Sequence, residues 1–281
     1  CSSDLFDGFL TIGNTTEENK KRGLNARTPG RNVVPNIPSY VSEIGYGSLP
    51  DLEENEKDFI NKGNPITYPY LYHLNYNKEI NKKLIETGLI KIFKNASNFY
   101  KKQQEIHGIA NKRMIEAIRS NPNVIGYCVH ALTAGDWIIG AGLLDIWRNP
   151  KGLAYDKTKE ANRSKLAVLR TNKRNYFEGE KVIISRILIN ENSSDLNNVK
   201  LSVHKQKDLI FSNDVEIKLN NGITELEKID LGANLSAGEY EVKISLITDN
   251  TMNYTTSINF NIFSIDKDRK STRLNSSHWP I

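Results

Sequence analysis

The chain has 281 residues, which is enough for one large domain or two of ordinary size. Its formal charge of +5 comes from lysines scattered along the chain, without the basic stripe and interleaved aromatic residues of a nucleic-acid binding protein. No apolar run approaches the roughly 18 to 20 residues that a membrane span requires, so the sequence argues against both a nucleic-acid partner and a membrane span.

The first 38 residues are rich in glycine, asparagine, threonine and proline, and they predict a long loop with at most one short helix at residues 15–21. Residues 40–45 predict a short strand. The connection that follows carries several prolines and tyrosines and predicts a second loop. Tyr68, Tyr70 and Tyr72 in that loop would either line a cleft or simply pack against their own segment.

Helical periodicity then predicts helices over residues 80–89 and 97–119. The apolar stripe of the second helix is predicted to consist of Ile106, Ile109, Ala110, Ala117 and Ile118. The continuous apolar run at residues 124–129 predicts a strand buried on both faces of a parallel sheet. Strand, helices and strand together predict a crossover unit of an α/β fold, followed by a short helix at residues 152–161.

From residue 164 onwards the apolar residues alternate, and turn residues separate the alternating sets. These sets lie at residues 182–189, 199–203, 215–219, 240–246 and 258–262. They predict an immunoglobulin-like β-sandwich over residues 164–266, with a bulge after Ile184 where the alternation breaks. Residues 267–281 have no periodicity and are interpreted as an unstructured tail translated from a sequencing adapter.

Two segments carry a family resemblance. Residues 40–50 read Tyr-Val-Ser-Glu-Ile-Gly-Tyr-Gly-Ser-Leu-Pro. Residues 126–133 read Gly-Tyr-Cys-Val-His-Ala-Leu-Thr and continue to Gly-Leu-Leu-Asp and Arg-Asn-Pro-Lys, which ends at residue 151. In this order, with a predicted sandwich behind them, they resemble the seventh and eighth barrel strands and the exit segment of glycoside hydrolase family 2, the group of β-galactosidases, β-mannosidases and β-glucuronidases. The resemblance implies a multidomain α/β plus all-β chain in which residues 1–163 are the C-terminal part of a (β/α)8 TIM barrel.

The resemblance also implies that Glu43 is the nucleophile of a retaining glycosidase that removes terminal β-linked sugars. Barrel enzymes carry their functional side chains at the carboxyl ends of strands, where Glu43 is predicted to lie. The alternative is a solvent-facing glutamate at a strand end. A retaining enzyme needs a second carboxyl group about 5 to 5.5 Å from the first. The family's acid/base, a glutamate after asparagine, has no counterpart before Glu43, so we expect it upstream of Cys1 and expect the isolated chain to be inactive.

His130 stands where many family members carry a tryptophan beneath the bound sugar, so the resemblance implies a substrate-binding residue. A buried core histidine is the alternative. Asp136 and Trp137 follow in the next loop. Asp136 would accept a hydrogen bond from a sugar hydroxyl, and Trp137 would offer the sugar an apolar face. The alternative is that Trp137 plugs the barrel and packs against its own loop. Tyr46 is a further candidate for lining the cleft.

The implied partner is an oligosaccharide or polysaccharide, and the oligomeric state stays open. The sequence contains no phosphate-binding glycine loop and no zinc-spaced cluster, so it predicts no cofactor and no metal. Two other interpretations remain. Residues 1–4, Cys-Ser-Ser-Asp, resemble the mature start of a bacterial lipoprotein, which predicts a lipid-anchored, non-catalytic carbohydrate-binding or interaction module. Alternatively, His130 marks a relative that has lost activity. A periplasmic or secreted location is favoured over a cytoplasmic one.

Overall fold

The computed structural model describes residues 9–22, 37–64, 66–133, 139–192, 195–248 and 251–264. The chain divides into two compact units, Cys1–Arg163 and Ser164–Ile281. Within the described ranges, the first unit combines helices with a two-stranded sheet and contains no closed barrel. The second unit consists of two larger sheets.

The first unit follows the predicted order of strand, helices and strand, and this prediction is confirmed. Its elements are α1 (Thr16–Arg22), β1 (Ser39–Ile44), α2 (Leu52–Asn61), α3 (Tyr68–Glu86), α4 (Ile90–Phe93), α5 (Ala96–Arg119), β2 (Val124–Val129) and α6 (Leu153–Ala161). Strands β1 and β2 pair in parallel, with Ser39 opposite Val124 and Ile44 opposite Val129. The carboxyl ends of both strands therefore lie at the same edge of the sheet.

Helix α5 supports this sheet from one side. Its start is fixed by Asn95, whose side chain accepts a hydrogen bond from the amide of Asn98 at 2.8 Å. Ile115 and Ile118 of α5 are almost completely buried and form one core cluster with Ile44 of β1. Because burial of such a side chain is worth about 1.5 to 3 kcal/mol, this cluster holds the strand ends on the helix.

A buried ion network joins α5 to α6. Lys112 Nζ lies 2.7 Å from Glu160 Oε1 and 3.6 Å from Glu116 Oε1. Burial raises the pKa of Glu116 to about 7, against the opposing effect of the Lys112 charge. The two helices also approach closely at Gly108, where a Cβ atom would lie 2.2 Å from the carbonyl oxygen of Leu153.

The buried face of α5 differs in part from the predicted stripe. Ile106 and Ile109 are 48% and 36% exposed, whereas Gln104, His107 and Asn111 are buried. The prediction was wrong at these positions because it counted only apolar residues. Each of these buried polar side chains makes a hydrogen bond to a residue outside the helix, which offsets the cost of burying it.

Helix α2 and the first part of α3 occupy the connection that was predicted to be a loop, so that prediction was wrong. The predicted helix at residues 80–89 is confirmed as far as Glu86, where α3 ends. Pro69 lies in the first turn of α3, where its missing N–H would have had no helical partner. Tyr72 stacks on Tyr68 and on Tyr76 one turn away in each direction, with ring centroids 6.4 and 6.0 Å apart. Tyrosines at this spacing pack along a helix rather than mark a loop.

The prediction that β2 is buried on both faces is also wrong for the described part of the chain. Ile125 is 70% exposed, and Cys128 is exposed. Val124, Tyr127 and Val129 pack on the cluster of α5. The run is continuously apolar although only one of its faces is covered.

The second unit is a two-sheet β-sandwich. Its strands are β3 (Lys165–Thr171), β4 (Asn175–Phe177), β5 (Ile183–Asn190), β6 (Asp195–Lys205), β7 (Asp208–Leu219), β8 (Gly222–Asp230), β9 (Gly238–Thr248) and β10 (Thr251–Phe263). They form a five-stranded sheet of order β4-β10-β9-β6-β7 and a three-stranded sheet of order β3-β5-β8. Neighbours are antiparallel except for β4 and β10, which are parallel.

The core of the sandwich follows the alternation in the sequence. The buried alternating residues of β6 and β9 are Val199, Leu201, Val203, Val242, Ile244 and Leu246. The pairing of β5 with β8 shifts register between Ile184 and Arg186, but the extra residue lies on β8, since these two residues pair with Ile229 and Leu226. The prediction of a bulge in β5 after Ile184 was therefore wrong. It assumed that only apolar residues face the core, whereas Arg186 is buried and continues the alternation. Strand β3 was missed by the alternation pattern because four consecutive residues, 166–169, are all buried.

We expect the substitution Ile115→Ala to lower the free energy of unfolding of the first unit by about 2 to 5 kcal/mol, because it removes a fully buried side chain beneath both strands. The matched control is Ile106→Ala on the same helix, which should change stability by no more than about 0.5 kcal/mol because Ile106 is exposed. Urea unfolding followed by circular dichroism measures both. Equal effects of the two substitutions would contradict the placement of α5.

Candidate functional site

The candidate site lies where β1 and β2 end side by side. Glu43 is the last residue but one of β1, and His130 directly follows β2. The amide of His130 donates to the carbonyl of Ile44 at 2.7 Å, which extends the parallel pairing by one residue. Glu43 Oε1 and His130 Nδ1 lie 3.5 Å apart. The fold therefore brings together a carboxylate and an imidazole that are far apart in sequence.

Both side chains are open to solvent. The side chain of His130 is 51% exposed and that of Glu43 is 68% exposed. His130 is therefore not the buried core histidine that was the alternative. The exposure of Glu43 fits a solvent-facing residue and a nucleophile open to substrate equally well.

Gly45 is required by the close approach of the two strand ends. A Cβ atom at this position would lie 2.2 Å from the carbonyl oxygen of His130, well inside contact distance. The residue after Ile44 must therefore be glycine for the strand ends to meet in this way. The contact with His130 therefore explains why the Ser-Glu-Ile-Gly segment ends in glycine.

Tyr46 lies in the segment that leaves β1, and its side chain is exposed. Its amide donates to Asn111 Oδ1 at 2.8 Å, and Asn111 Nδ2 donates to Thr158 Oγ1 of α6 at 3.2 Å. The backbone at Tyr46 is thus held by buried side chains of two helices. Asp136 and Trp137, the other candidates for sugar binding, lie outside the described residues.

Sequence reasoning missed a buried polar cluster directly after Glu43. Ser48 Oγ lies 2.9 Å from His107 Nδ1, and the carbonyl of Ser48 accepts from Lys151 Nζ at 2.5 Å. Burial, together with the charge of Lys151, lowers the pKa of His107 to about 4, so this imidazole is neutral at pH 7. The only signal in the sequence was a set of polar residues at helical spacing on α5, which resembles a solvated face.

Glu18 does not take part in this site. The side chain of Glu18 accepts from the amide of Thr15 at 2.6 Å, and the hydroxyl of Thr15 accepts from the amide of Glu18 at 3.2 Å. This reciprocal pair is a capping box at the start of α1. Glu18 is therefore used to begin a helix.

A cleft of about 620 Å³ lies elsewhere in the first unit and contains none of the predicted site residues. Its walls come from residues 50–58, from residues 98–105 of α5 and from residues 145–153. Lys151 borders this cleft. In the described ranges, no group of three His, Cys, Asp or Glu side chains has the arrangement of a metal site. None of the helices among the described residues is both long and apolar enough to cross a membrane.

Comparison with known proteins gives a fold but no family assignment. No protein-family model and no curated protein matches the chain. Among solved structures, a β-D-mannosidase from Dictyoglomus thermophilum matches 91% of the chain at 16% identity with a TM-score of 0.58. The match covers 28% of that mannosidase, so the chain spans little more than a quarter of its length. The chain therefore shares its fold with part of this glycosidase.

Two shorter matches are to a β-glucuronidase from Parabacteroides merdae and to a glycosyl hydrolase family 2 member from Bacteroides cellulosilyticus. The glucuronidase matches 34% of this chain and 13% of its own, at 17% identity and a TM-score of 0.28. The Bacteroides protein matches 34% of this chain and 14% of its own, at 14% identity and the same TM-score. At this level of similarity they add no argument.

We expect the substitution Gly45→Ala to destabilise the first unit by about 1 to 3 kcal/mol, because the added methyl group collides with the carbonyl of His130. Gly140→Ala is the matched control, since its Cβ would meet nothing within 4 Å. Chemical denaturation of both variants tests the contact. If Gly45→Ala were as stable as Gly140→Ala, the strand ends would not approach as described.

Proposed function

We propose that this chain is the C-terminal part of a retaining β-glycosidase of glycoside hydrolase family 2, with Glu43 as its nucleophile. The observation that carries the proposal is the position of Glu43 and His130 at the adjacent carboxyl ends of two parallel strands, in a chain that shares its fold with part of a β-mannosidase. Functional side chains in barrel enzymes occupy this edge of the strands.

In this proposal β1 and β2 are the seventh and eighth strands of a TIM barrel that residues outside this chain complete. The open face of the small sheet supports it, since Tyr40 and Ile125 are 61% and 70% exposed. Apolar strand residues of this kind are normally covered in a parallel sheet. Residues 164–266 form the immunoglobulin-like sandwich of the family, and residues 1–163 belong to the catalytic domain.

The proposed reaction is a double displacement. The carboxylate of Glu43 attacks the anomeric carbon and forms a glycosyl–enzyme bond, while a second carboxyl group from outside this chain protonates the leaving oxygen. That group, now ionised, then takes a proton from water. The water oxygen attacks the anomeric carbon, and the carboxylate of Glu43 is released. The substrate is a terminal β-linked sugar of an oligosaccharide or polysaccharide.

His130 and Tyr46 are the proposed substrate-binding residues within the described part of the chain. Asp136 and Trp137, which follow His130 in sequence, are the other two proposed substrate-binding residues. The imidazole of His130 offers a hydrogen bond to a sugar hydroxyl at the strand ends. It also presents a smaller face for stacking than the tryptophan that many family members carry. We therefore expect the sugar to be held more by hydrogen bonds than by stacking.

The test is kinetic and uses the full-length protein that carries this sequence. Glu43→Gln keeps the size of the side chain but removes the nucleophile, so we expect kcat to fall by roughly 10⁶-fold, the order seen when a hydrolase loses its nucleophile. The matched control is Glu79→Gln, which changes an exposed glutamate on α3 and should leave kcat unchanged. Aryl β-glycosides of galactose, mannose and glucuronic acid serve as substrates.

Unchanged turnover in Glu43→Gln would overturn the assignment of the nucleophile. Absence of turnover in the unmodified full-length protein, with every one of these substrates, would instead favour a relative that binds carbohydrate without cleaving it.

A further inference from the structure

The segments that follow β1 and β2 are connected by one buried side chain. Lys151 is 2% exposed, and its ammonium group donates to three carbonyl oxygens. These belong to Ser48 at 2.5 Å, Gly140 at 3.3 Å and Ala141 at 3.2 Å. A protonated lysine has three N–H donors, so each one has a partner here.

The backbone around Lys151 reaches the same two segments. Its amide donates to the carbonyl of Leu143 at 2.9 Å, and the amide of Leu143 donates to the carbonyl of Ala131, next to His130, at 3.1 Å. The amide of Ser48 in turn donates to the carbonyl of Gly140 at 2.8 Å. Lys151 is therefore bonded both to the segment that follows Glu43 and to the segment that follows His130.

We propose that Lys151 is a positioning residue that keeps Glu43 and His130 in register by fixing the segments that follow their strands. The proposal rests on the proposed function for its catalytic meaning, but the structural part stands by itself. A lysine is suited to this task because a compact ammonium group on a long stem can bond carbonyl oxygens from several directions. Hydrogen bonds to a charged donor are also stronger than those between neutral groups.

The surroundings of Lys151 make the contact sensitive to pH. Burial lowers the pKa of Lys151 to about 8, while the charge of Asp145 opposes this shift. His107 faces it from α5 and is neutral at pH 7. The neighbouring cleft carries Asp51, Glu54 and Asp58 on the side of α2, and Lys101, Lys102 and Glu105 on α5. A deprotonated Lys151 keeps two donors, so above pH 8 one of the three carbonyls loses its partner.

Amide hydrogen exchange of the chain itself tests the positioning role. In Lys151→Met we expect residues 45–49 and 140–144 to exchange at least about 10-fold faster than in the unmodified chain, as for loss of a charged hydrogen bond. Residues 111–118 of α5 should change little. Lys151→Arg keeps the charge and should restore most of the protection. Lys159→Met, at an exposed lysine of α6, is the control and should exchange like the unmodified chain.

If Lys151→Met exchanges like Lys159→Met, the proposal is overturned. If Lys151→Met fails to fold, amide exchange of the unmodified chain is compared at pH 6.5 and pH 9.5, after correction for the intrinsic exchange rate. Loss of protection at residues 45–49 at the higher pH, absent in Lys151→Arg, supports the proposal. Equal protection at both values overturns it.

A kinetic measurement on the full-length protein separates this proposal from the proposed function. We expect Lys151→Met to lower kcat by about 10²-fold with little change in KM, because a displaced nucleophile costs rate more than binding. Lys151→Arg should recover most of that loss. Should Glu43→Gln prove fully active, the glycosidase proposal fails while the exchange result on Lys151 still stands. Should Lys151→Met alter exchange but not kcat, its positioning role in catalysis is wrong.

Discussion

The parallel pairing of β1 with β2 is the constraint on which the candidate site depends. It sets the two carboxyl ends at one edge, so that Glu43 and His130 come within 3.5 Å although helices α2 to α5 separate them in sequence. The pairing continues past the strands only because Gly45 has no side chain to collide with the carbonyl of His130. Ile115 and Ile118 of α5 then hold both strands from below.

Buried polar side chains also hold the segments that follow β1 and β2. Asn111 holds the backbone at Tyr46, His107 contacts Ser48, and Lys151 bonds the carbonyls of the segments after both strands. Such groups are costly to bury unless each is paired. Here Asn111 and Lys151 are paired with backbone atoms of the site segments, and His107 is paired with the hydroxyl of Ser48. The apolar cluster buries nonpolar surface between helix and strands, while the polar contacts fix the positions of a few segments.

The sequence predicted the periodic elements well and the irregular ones poorly. The alternation was sufficient for the sandwich, because a half-buried strand shows its covered face directly. It misplaced the bulge, because Arg186 is buried and continues the alternation of β5, while the extra residue lies on β8. The first part of helix α3, before residue 80, was missed because its tyrosines and Pro69 resemble loop composition, whereas the contacts between tyrosines one turn apart appear only in the folded helix. Ile106 was assigned to the core although His107 is the buried residue, since a partner such as Ser48 cannot be seen from the helix alone. For the site, the motif predicted Glu43 and His130, and although it also includes Lys151 it assigned that residue no role.

The most direct test of the central claim is covalent trapping of Glu43. The full-length protein is incubated with 2-deoxy-2-fluoro glycosides carrying a good leaving group, digested, and analysed by mass spectrometry. The account predicts that the peptide containing Glu43 gains the mass of one fluorosugar, bound through the Glu43 carboxylate, and that Glu43→Gln gains none. A sugar attached to a different carboxylate would contradict the account. So would full turnover of the corresponding substrate without any trapped intermediate.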